Sequence, residues 1–343
     1  MKTDNEGSLF VAACAGDHEA FQQLTDPYRR ELLVHCYRML GSLEDAEDIL
    51  QETLLRAWRR LGSFEGRSSF RTWLYKIATN ASLDALSSRR SRTLPNIILP
   101  VSDPLAALPE PVNEPIWLGP LPDFLVDERP AFNPEARYEA RESVQLAFLS
   151  ALQRLPGRQR AVLILRDVLG WKASEVAELL GTSVQAANSA LQRARATMKQ
   201  HHGESARLSS SAADLADGQV ASLLAKYVAA WEEADSGALV ALLREDALIT
   251  MPPFPLWYQG REAIRKFLDT HLFTGDIAGA LRLVPTRANG APAYGAYQRD
   301  AAGAYRAVAL HVVTIEDGLI TRIDDFLTYN GRLFSQFGLP LSI

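Results

Sequence analysis

The thirty residues "GWKASEVAELLGTSVQAANSALQRARATMK", Gly170 to Lys199, decide how this chain is read. Apolar residues at three- and four-residue spacing predict a short helix from about Ala173 to Leu180. Gly181 ends it, Ser183 caps the next, and a second helix runs from Val184 to about Met198. This is helix-turn-helix spacing. The second helix bears Gln185, Asn188, Ser189, Gln192, Arg193, Arg195 and Lys199 without any acid, a set able to contact base edges and phosphates in a major groove. Many helical proteins contain a glycine corner, so the motif needs support from the rest of the chain.

That support lies upstream. Helices are predicted near 8–23, 27–40, 43–61 and 68–88, with Pro27 at the start of the second and Gly41 beyond its last turn. The third contains "DAEDILQETLLRAWRRL", Asp45 to Leu61, whose acids cluster in its first half and arginines in its second. Its apolar residues recur on the opposite side, so one face is buried and the other charged. The macrodipole accounts for such a gradient, and so does a docking face. The segment "FEGRSSFRTWLYKIATNASLDALSSRR" interleaves Phe64, Phe70, Trp73 and Tyr75 with Arg67, Arg71, Lys76, Arg89 and Arg90. Basic residues hold phosphates, and an aromatic in a small polar loop offers a surface to an unstacked base.

Between the two signatures, residues 93–134 hold ten of the chain's eighteen prolines and one base against six acids. No continuous helix or central strand survives that proline density, and an extended, acidic linker is expected. Residues 135–206 carry ten bases against seven acids. Beyond a Ser- and Ala-rich tether at 201–217 the texture changes. Two helices, 218–234 and 260–271, accompany strands at 247–251, 281–288, 293–299, 304–315 and 319–327, with a hairpin turn at Asp317-Gly318. The economical arrangement is an α+β cone, helices on one face of a curved antiparallel sheet.

Composition sets the limits. A length of 343 residues allows two or three domains, and a net charge of -5 excludes a wholesale electrostatic DNA coat. Cys14 and Cys36 are too few for a disulfide framework, and the six histidines show no zinc spacing, so no metal and no cofactor are expected. No window reaches the 18 apolar residues a membrane span needs, and no signal peptide is evident. A cytoplasmic protein without membrane insertion is expected.

Three segments resemble, in order and spacing, the bacterial extracytoplasmic-function (ECF) sigma factors of the sigma-70 superfamily. "DAEDILQETLLRAWRRL" is similar to region 2.2, "FEGRSSFRTWLYKIATNASLDAL" to regions 2.3 and 2.4, and "ALQRLPGRQRAVLILRDVLGWKASEVAELLGTSVQAANSALQRARA" to region 4. The resemblance implies an all-α region 2 at 8–92, the linker at 93–134 and an all-α region 4 at 135–203. It further implies that core RNA polymerase is the partner, through the clamp of its β′ subunit and its β flap, with Asp45, Asp48 and Glu52 at the clamp contact. Residues 64–69, with Phe64, Arg67 and Ser68, would accept a base flipped from the promoter -10 element. Arg67, Arg71, Lys76 and Asn80 would lie beside the melted strand or its flanking duplex, and the helix from Ser183 to Arg195 would recognise the -35 element. Ala186, Ala187 and Ala190 leave that helix short of long side chains.

Residues 218–343 resemble the SnoaL-like, ketosteroid-isomerase-like branch of the NTF2 superfamily, above all in "LLAKYVAAWEEADSGALVALLREDALITMPPFPLWYQGREAIRKFL". The combination is similar to the actinobacterial SigG-like subgroup of ECF factors, in which such a domain stands in place of a separate anti-sigma protein. This implies regulation in cis and a cavity inside the cone, with Tyr227, Trp231, Met251, Trp257, Tyr258, His311 and Asp325 as candidate lining and a small molecule as candidate ligand. His311 shares a strand face with Ala309 and Val313, the pattern of a core histidine, and no catalytic residue is assigned. An enzyme fused to a DNA-binding module and a plain helix-turn-helix repressor are the competing classes. A repressor needs neither a docking helix nor a strand-capturing loop.

Overall fold

The computed structural model describes residues 2–88, 91–112, 116–127, 142–205, 217–328 and 331–343. Arg89 and Arg90, residues 113–115 and 128–134 of the linker and residues 206–216 of the tether lie outside the described residues. The chain forms two units. One comprises Met1–Arg92, Leu125–Val144 and Phe148–His201, the other Thr93–Phe124, Gln145–Ala147 and His202–Ile343.

The first unit is helical: α1 Lys2–Cys14, α2 His18–Leu40, α3 Leu43–Arg60, α4 Phe70–Ser88, α5 Leu146–Gln153, α6 Gly157–Leu163, α7 Ala173–Leu179 and α8 Val184–Ser205. The break between α1 and α2 falls at Gly16 and Asp17 rather than before Pro27. Gly16 takes a φ of 98°, and Asp17 Oδ1 accepts the Glu19 and Ala20 N–H groups at 2.9 and 3.1 Å. Pro27 lies inside α2. A proline deletes one helical hydrogen bond, and this long helix, buried along much of its second half, absorbs that loss. Gly41 closes α2 in the left-handed region, its N–H donating to Tyr37 O at 2.7 Å, as expected.

In the second unit, α9 Asp217–Glu232, α10 Ser236–Ala241 and α11 Arg261–Phe267 accompany an open six-stranded sheet of order β2-β1-β6-β5-β4-β3. The strands are β1 Leu243–Thr250, β2 Trp257–Gln259, β3 Leu281–Ala288, β4 Ala291–Arg299, β5 Tyr305–Glu316 and β6 Leu319–Leu327. The α+β class stands, with one correction to the antiparallel expectation: β1 runs parallel to β6, Ile249 beside Ile323. Alternation of burial reveals a strand's faces but not its direction. Asp317 and Gly318 take φ values of 49° and 77°, as a tight hairpin between β5 and β6 requires.

Residues 93–124 pack on this second unit. Thr93 pairs in parallel with Trp117, closing the segment on itself, and its backbone then bonds to the cone. Ser102 N–H donates to Trp257 O at 3.0 Å, Val112 N–H to Pro253 O at 2.9 Å, and Asn289 N–H to Leu121 O at 2.9 Å. Asp123 accepts from Gly290 N–H at 2.7 Å and from Arg287 at 3.0 Å. The linker is therefore fastened along much of its length, which its prolines did not reveal: a chain without regular structure still satisfies its amides by donating to another element's carbonyls.

Candidate nucleic-acid interface

Ser42 opens α3 by accepting the Asp45 N–H, and Ala46, Leu50, Thr53 and Ala57 turn inward. The opposite face is acidic, but its members differ. Asp48 is exposed, and Glu52 is half-exposed and holds Arg56 at 2.7 Å. Asp45 is not the exposed acid that the sequence suggested: it is 8% exposed, and Arg92 Nε and Nη2 reach its Oδ2 at 2.9 and 2.5 Å. Leu55, half-exposed, stands one turn beyond Glu52 and two beyond Asp48.

On α4, Lys76 and Asn80 lie one turn apart on the exposed face. Arg71 does not join them. It points into the helical unit, where Nε and Nη2 grip Glu31 at 2.7 and 2.9 Å and its guanidinium lies 4.8 Å from the Tyr75 ring centre. The loop before α4 turns at Gly66, with a φ of 69°. It exposes Arg67, ion-paired to Glu65, and leaves Ser68 half-buried. Phe64 anchors this loop instead of standing free, its ring 5.7 Å from those of Phe10 and Phe70 and 5.3 Å from Trp73.

The helix pair forms as its caps require. Ser183 Oγ accepts the Ala186 N–H at 3.1 Å, while Ala187, Leu191, Ala194 and Met198 face inward. Gln185, Asn188, Gln192, Arg193, Arg195 and Lys199 are exposed, and Ser189 is half-buried. Arg195 makes a two-pronged bond to Asp167 at 2.9 and 2.7 Å, which fixes its guanidinium beside the helix.

These two helical halves are one packed body. Arg160 at the start of α6 is 1% exposed and donates to Met39 O at the end of α2, to Gln153 Oε1 at 2.6 Å and to Gln153 O at 2.9 Å. Burial lowers its pKa to about 10, so it stays a cation. Trp171 places its ring 5.2 Å from that of Tyr75 on α4, and Arg38 donates to Ser143 Oγ at 2.8 Å.

In the second unit, Tyr294, His311 and Asp325 are register partners across β4, β5 and β6, on the face covered by α9. The Tyr227 hydroxyl meets His311 Nδ1 at 2.9 Å, and the Trp231 ring lies 4.6 Å from the imidazole. Met251 and Tyr258 belong to the same core. Asp325 Oδ1 lies 3.5 Å from His311 Nε2 and forms no hydrogen bond. Burial, with the Asp324 charge adding, pushes the Asp325 carboxyl up to about 7, while burial pushes the His311 imidazole down to about 3. Burial likewise raises the Tyr227 phenol, and the carboxylate of Asp325 adds to that. Such a group of buried polar atoms can exchange a proton or a hydrogen bond. Trp257 does not line the cone as expected. It lies on the other face, donating from Nε1 to Leu99 O at 2.9 Å, because successive residues of β2 point to opposite sides.

The sequence matches the models Sigma-70 region 2 over residues 24–92, Sigma-70, region 4 over 145–198, and SnoaL-like domain over 224–323. It is 48% identical over 325 residues to the ECF RNA polymerase sigma factor SigG of Mycobacterium tuberculosis, covering 94% of this chain and 85% of that protein. The chain belongs to the ECF sigma factors. Another relative, SigW of Bacillus subtilis, is 28% identical over 54% of this chain and 89% of its own length. The crystal structure of Mycobacterium tuberculosis SigJ superposes with a TM-score of 0.56 at 25% identity, covering 91% of this chain and 97% of that one. This ECF sigma factor therefore directs promoter-specific transcription initiation by RNA polymerase, and its SnoaL-like domain is an addition to that activity.

Sequence reasoning missed two working parts of the sigma factor. Arg160 read as an ordinary base in "LPGRQRAV"; only its depth separates it from Arg158, and no local pattern signals depth. The linker anchors were equally silent, since they are mostly backbone groups. Asn96, which accepts from Arg322 at 3.0 Å, is the exception, a polar side chain in a run of apolar residues.

Proposed function

We propose that this sigma factor rests in a closed state in which its two promoter-reading parts are locked together, and that its C-terminal unit keeps it so by holding the linker. The packing of Arg160 and Trp171 against α2 and α4 carries the reading. Elements centred at -10 and -35 are about 25 base pairs apart, roughly 85 Å of duplex at 3.4 Å per pair. A compact unit of about 170 residues has a radius of gyration near 15 Å. The parts must separate to touch both elements, and the linker that joins them must yield. Asp48 and Glu52 then face the β′ clamp of core polymerase, and region 4 docks by the β flap. Arg67, Ser68, Lys76 and Asn80 receive the -10 strand, and α8 receives the -35 duplex. The factor works in the cytoplasm, where transcription takes place.

In vitro transcription with core polymerase tests this. Asp123→Ala removes the carboxylate that Gly290 and Arg287 hold, and at limiting polymerase it should raise promoter-dependent output several-fold. Equal output from wild type and variant across a polymerase titration defeats the restraint. Asp48→Lys with Glu52→Lys should leave the fold intact yet weaken polymerase binding at least tenfold, because reversed charge facing a partner costs far more than on open surface. Unchanged affinity in a pull-down titration removes that face from the contact.

A further inference from the structure

Among the described residues, Val11, Leu55 and Val184 are the large apolar side chains left exposed on the helical unit. Leu55 belongs to the acidic face of α3, and Val184 is the first residue of α8. Around Val184 the helix has an unusual composition for a groove reader. From Ser183 to Gln192 it contains no Arg, Lys, Asp or Glu, and its first cation is Arg193. What its exposed positions offer instead is Val184, Gln185, Ala186, Asn188 and Gln192.

Base-pair chemistry turns that composition into a preference. In the major groove a guanine is read by Arg or Lys on its O6 and N7, and a cytosine amino group by Asp or Glu. Adenine is read by Asn or Gln on N6 and N7, and thymine by an apolar contact to its C5 methyl. The first two turns of α8, the part of a recognition helix that meets base edges, hold residues for adenine and thymine and none for guanine or cytosine. The cations come later: Arg193, Lys199 and Arg195, the last already oriented by Asp167, suit phosphates.

We propose that α8 reads A·T pairs, with Gln185 and Asn188 on adenines and Val184 against a thymine methyl. This rests on region 4 being the part that contacts the -35 element. The alanines then have a role: Ala186, exposed beside Val184, lets the helix approach the methyl groups closely.

The test uses full-length protein bound to core polymerase. A promoter pool with a fixed -10 element and a randomised -35 region is transcribed, and the productive -35 sequences are recovered. They should contain a block of A·T pairs. Replacing thymines of that block by deoxyuridine removes only the C5 methyl and should lower wild-type output about fourfold per contacted base, the worth of one buried methyl group. Val184→Ala should lose this sensitivity, and Val184→Thr, which keeps a methyl, should retain it. Asn188→Ala should relax the choice at one adenine by roughly fivefold or more. A recovered G·C block, or wild-type output indifferent to deoxyuridine, overturns the proposal while leaving the sigma activity intact. Output indifferent to the whole -35 region overturns both the proposal and the region 4 contact beneath it.

Discussion

The two faces of the C-terminal sheet treat neighbouring residues in opposite ways. Asp324 and Asp325 are adjacent on β6, and Trp257 and Tyr258 on β2. On the outer face Asp324 accepts from Thr250 at 2.7 Å and from both prongs of Arg322 at 2.7 Å, and Trp257 donates to the linker. On the inner face Asp325 Oδ1 and the Tyr258 hydroxyl are buried without a hydrogen bond. The outer face fastens; the inner face, beside its Tyr227–His311 bond, leaves these two groups unsatisfied. A fastened group stabilises the fold, and an unsatisfied one detracts from it.

Four substitutions can break that contrast. The largest effect belongs to Asp324→Asn, which leaves the buried Arg322 without its counter-charge and should cost about 3–5 kcal/mol. Urea unfolding measures it, and an unchanged midpoint denies that the outer face fastens.

Asp325→Asn should have the opposite sign. The folded carboxyl, raised to about 7, holds its proton where the unfolded chain, near 4, has released it. The folded state binds more protons in that window, so the wild type loses stability as pH rises through it and levels off above 7. The variant escapes this cost, gaining up to about 4 kcal/mol at pH 8 and nothing near pH 4. His311, lowered to about 3, acts in reverse: its contribution fades as pH falls from about 6.5. In the wild type the Asp325 slope opposes that of the buried histidines, His311 and the equally lowered His35 of the helical unit, between about pH 4 and 6.5, and the variant should reveal the histidine slope. Melting at pH 4.5, 6 and 8 reads both, and a gain independent of pH removes the inner carboxyl from the argument.

The smaller pair sharpens the contrast at one peptide bond. Trp257→Phe keeps a ring but deletes the donor to Leu99 O, for a cost of about 1 kcal/mol and faster hydrogen exchange at the Ser102 amide. Tyr258→Phe deletes a hydroxyl that bonds to nothing and should fall within about 0.5 kcal/mol of wild type, on the stabilising side. If the tyrosine change costs more than the tryptophan change, the assignment of faces is reversed.

The same contrast explains what was legible in the sequence. Gly181 and Ser183 announced the helix-turn-helix corner because a helix end is set by a few neighbouring residues, and Asp317-Gly318 announced its hairpin for the same reason. Strand β3 was bounded by its flanking turns, and β6, buried on both faces along most of its length, by the Asp317-Gly318 turn before it. Trp257 was misplaced because aromatic character says nothing about which side of a three-residue strand faces the core. Asp45 seemed a surface acid because its partner, Arg92, lies 47 residues away. Arg71 likewise sat in a basic, aromatic segment whose chemistry suited DNA, yet Glu31, 40 residues upstream, holds it inward. Local rules write local structure, and long-range pairing of charged residues leaves no local trace.

The route of the chain has a consequence for cutting it. Residues 93–124 belong to the C-terminal unit, while the chain on either side, up to Arg92 and from Leu125 to Val144, belongs to the helical one. A protease that severs the 206–216 tether once therefore does not shed residues 218–343, which remain gripped by the linker through Pro253, Trp257, Asn289 and Asp123. A nicked molecule should migrate on a sizing column as the intact one does, and separate only in denaturant. A chain that ends near Met198 is a different object, with its linker stripped of every partner in the cone.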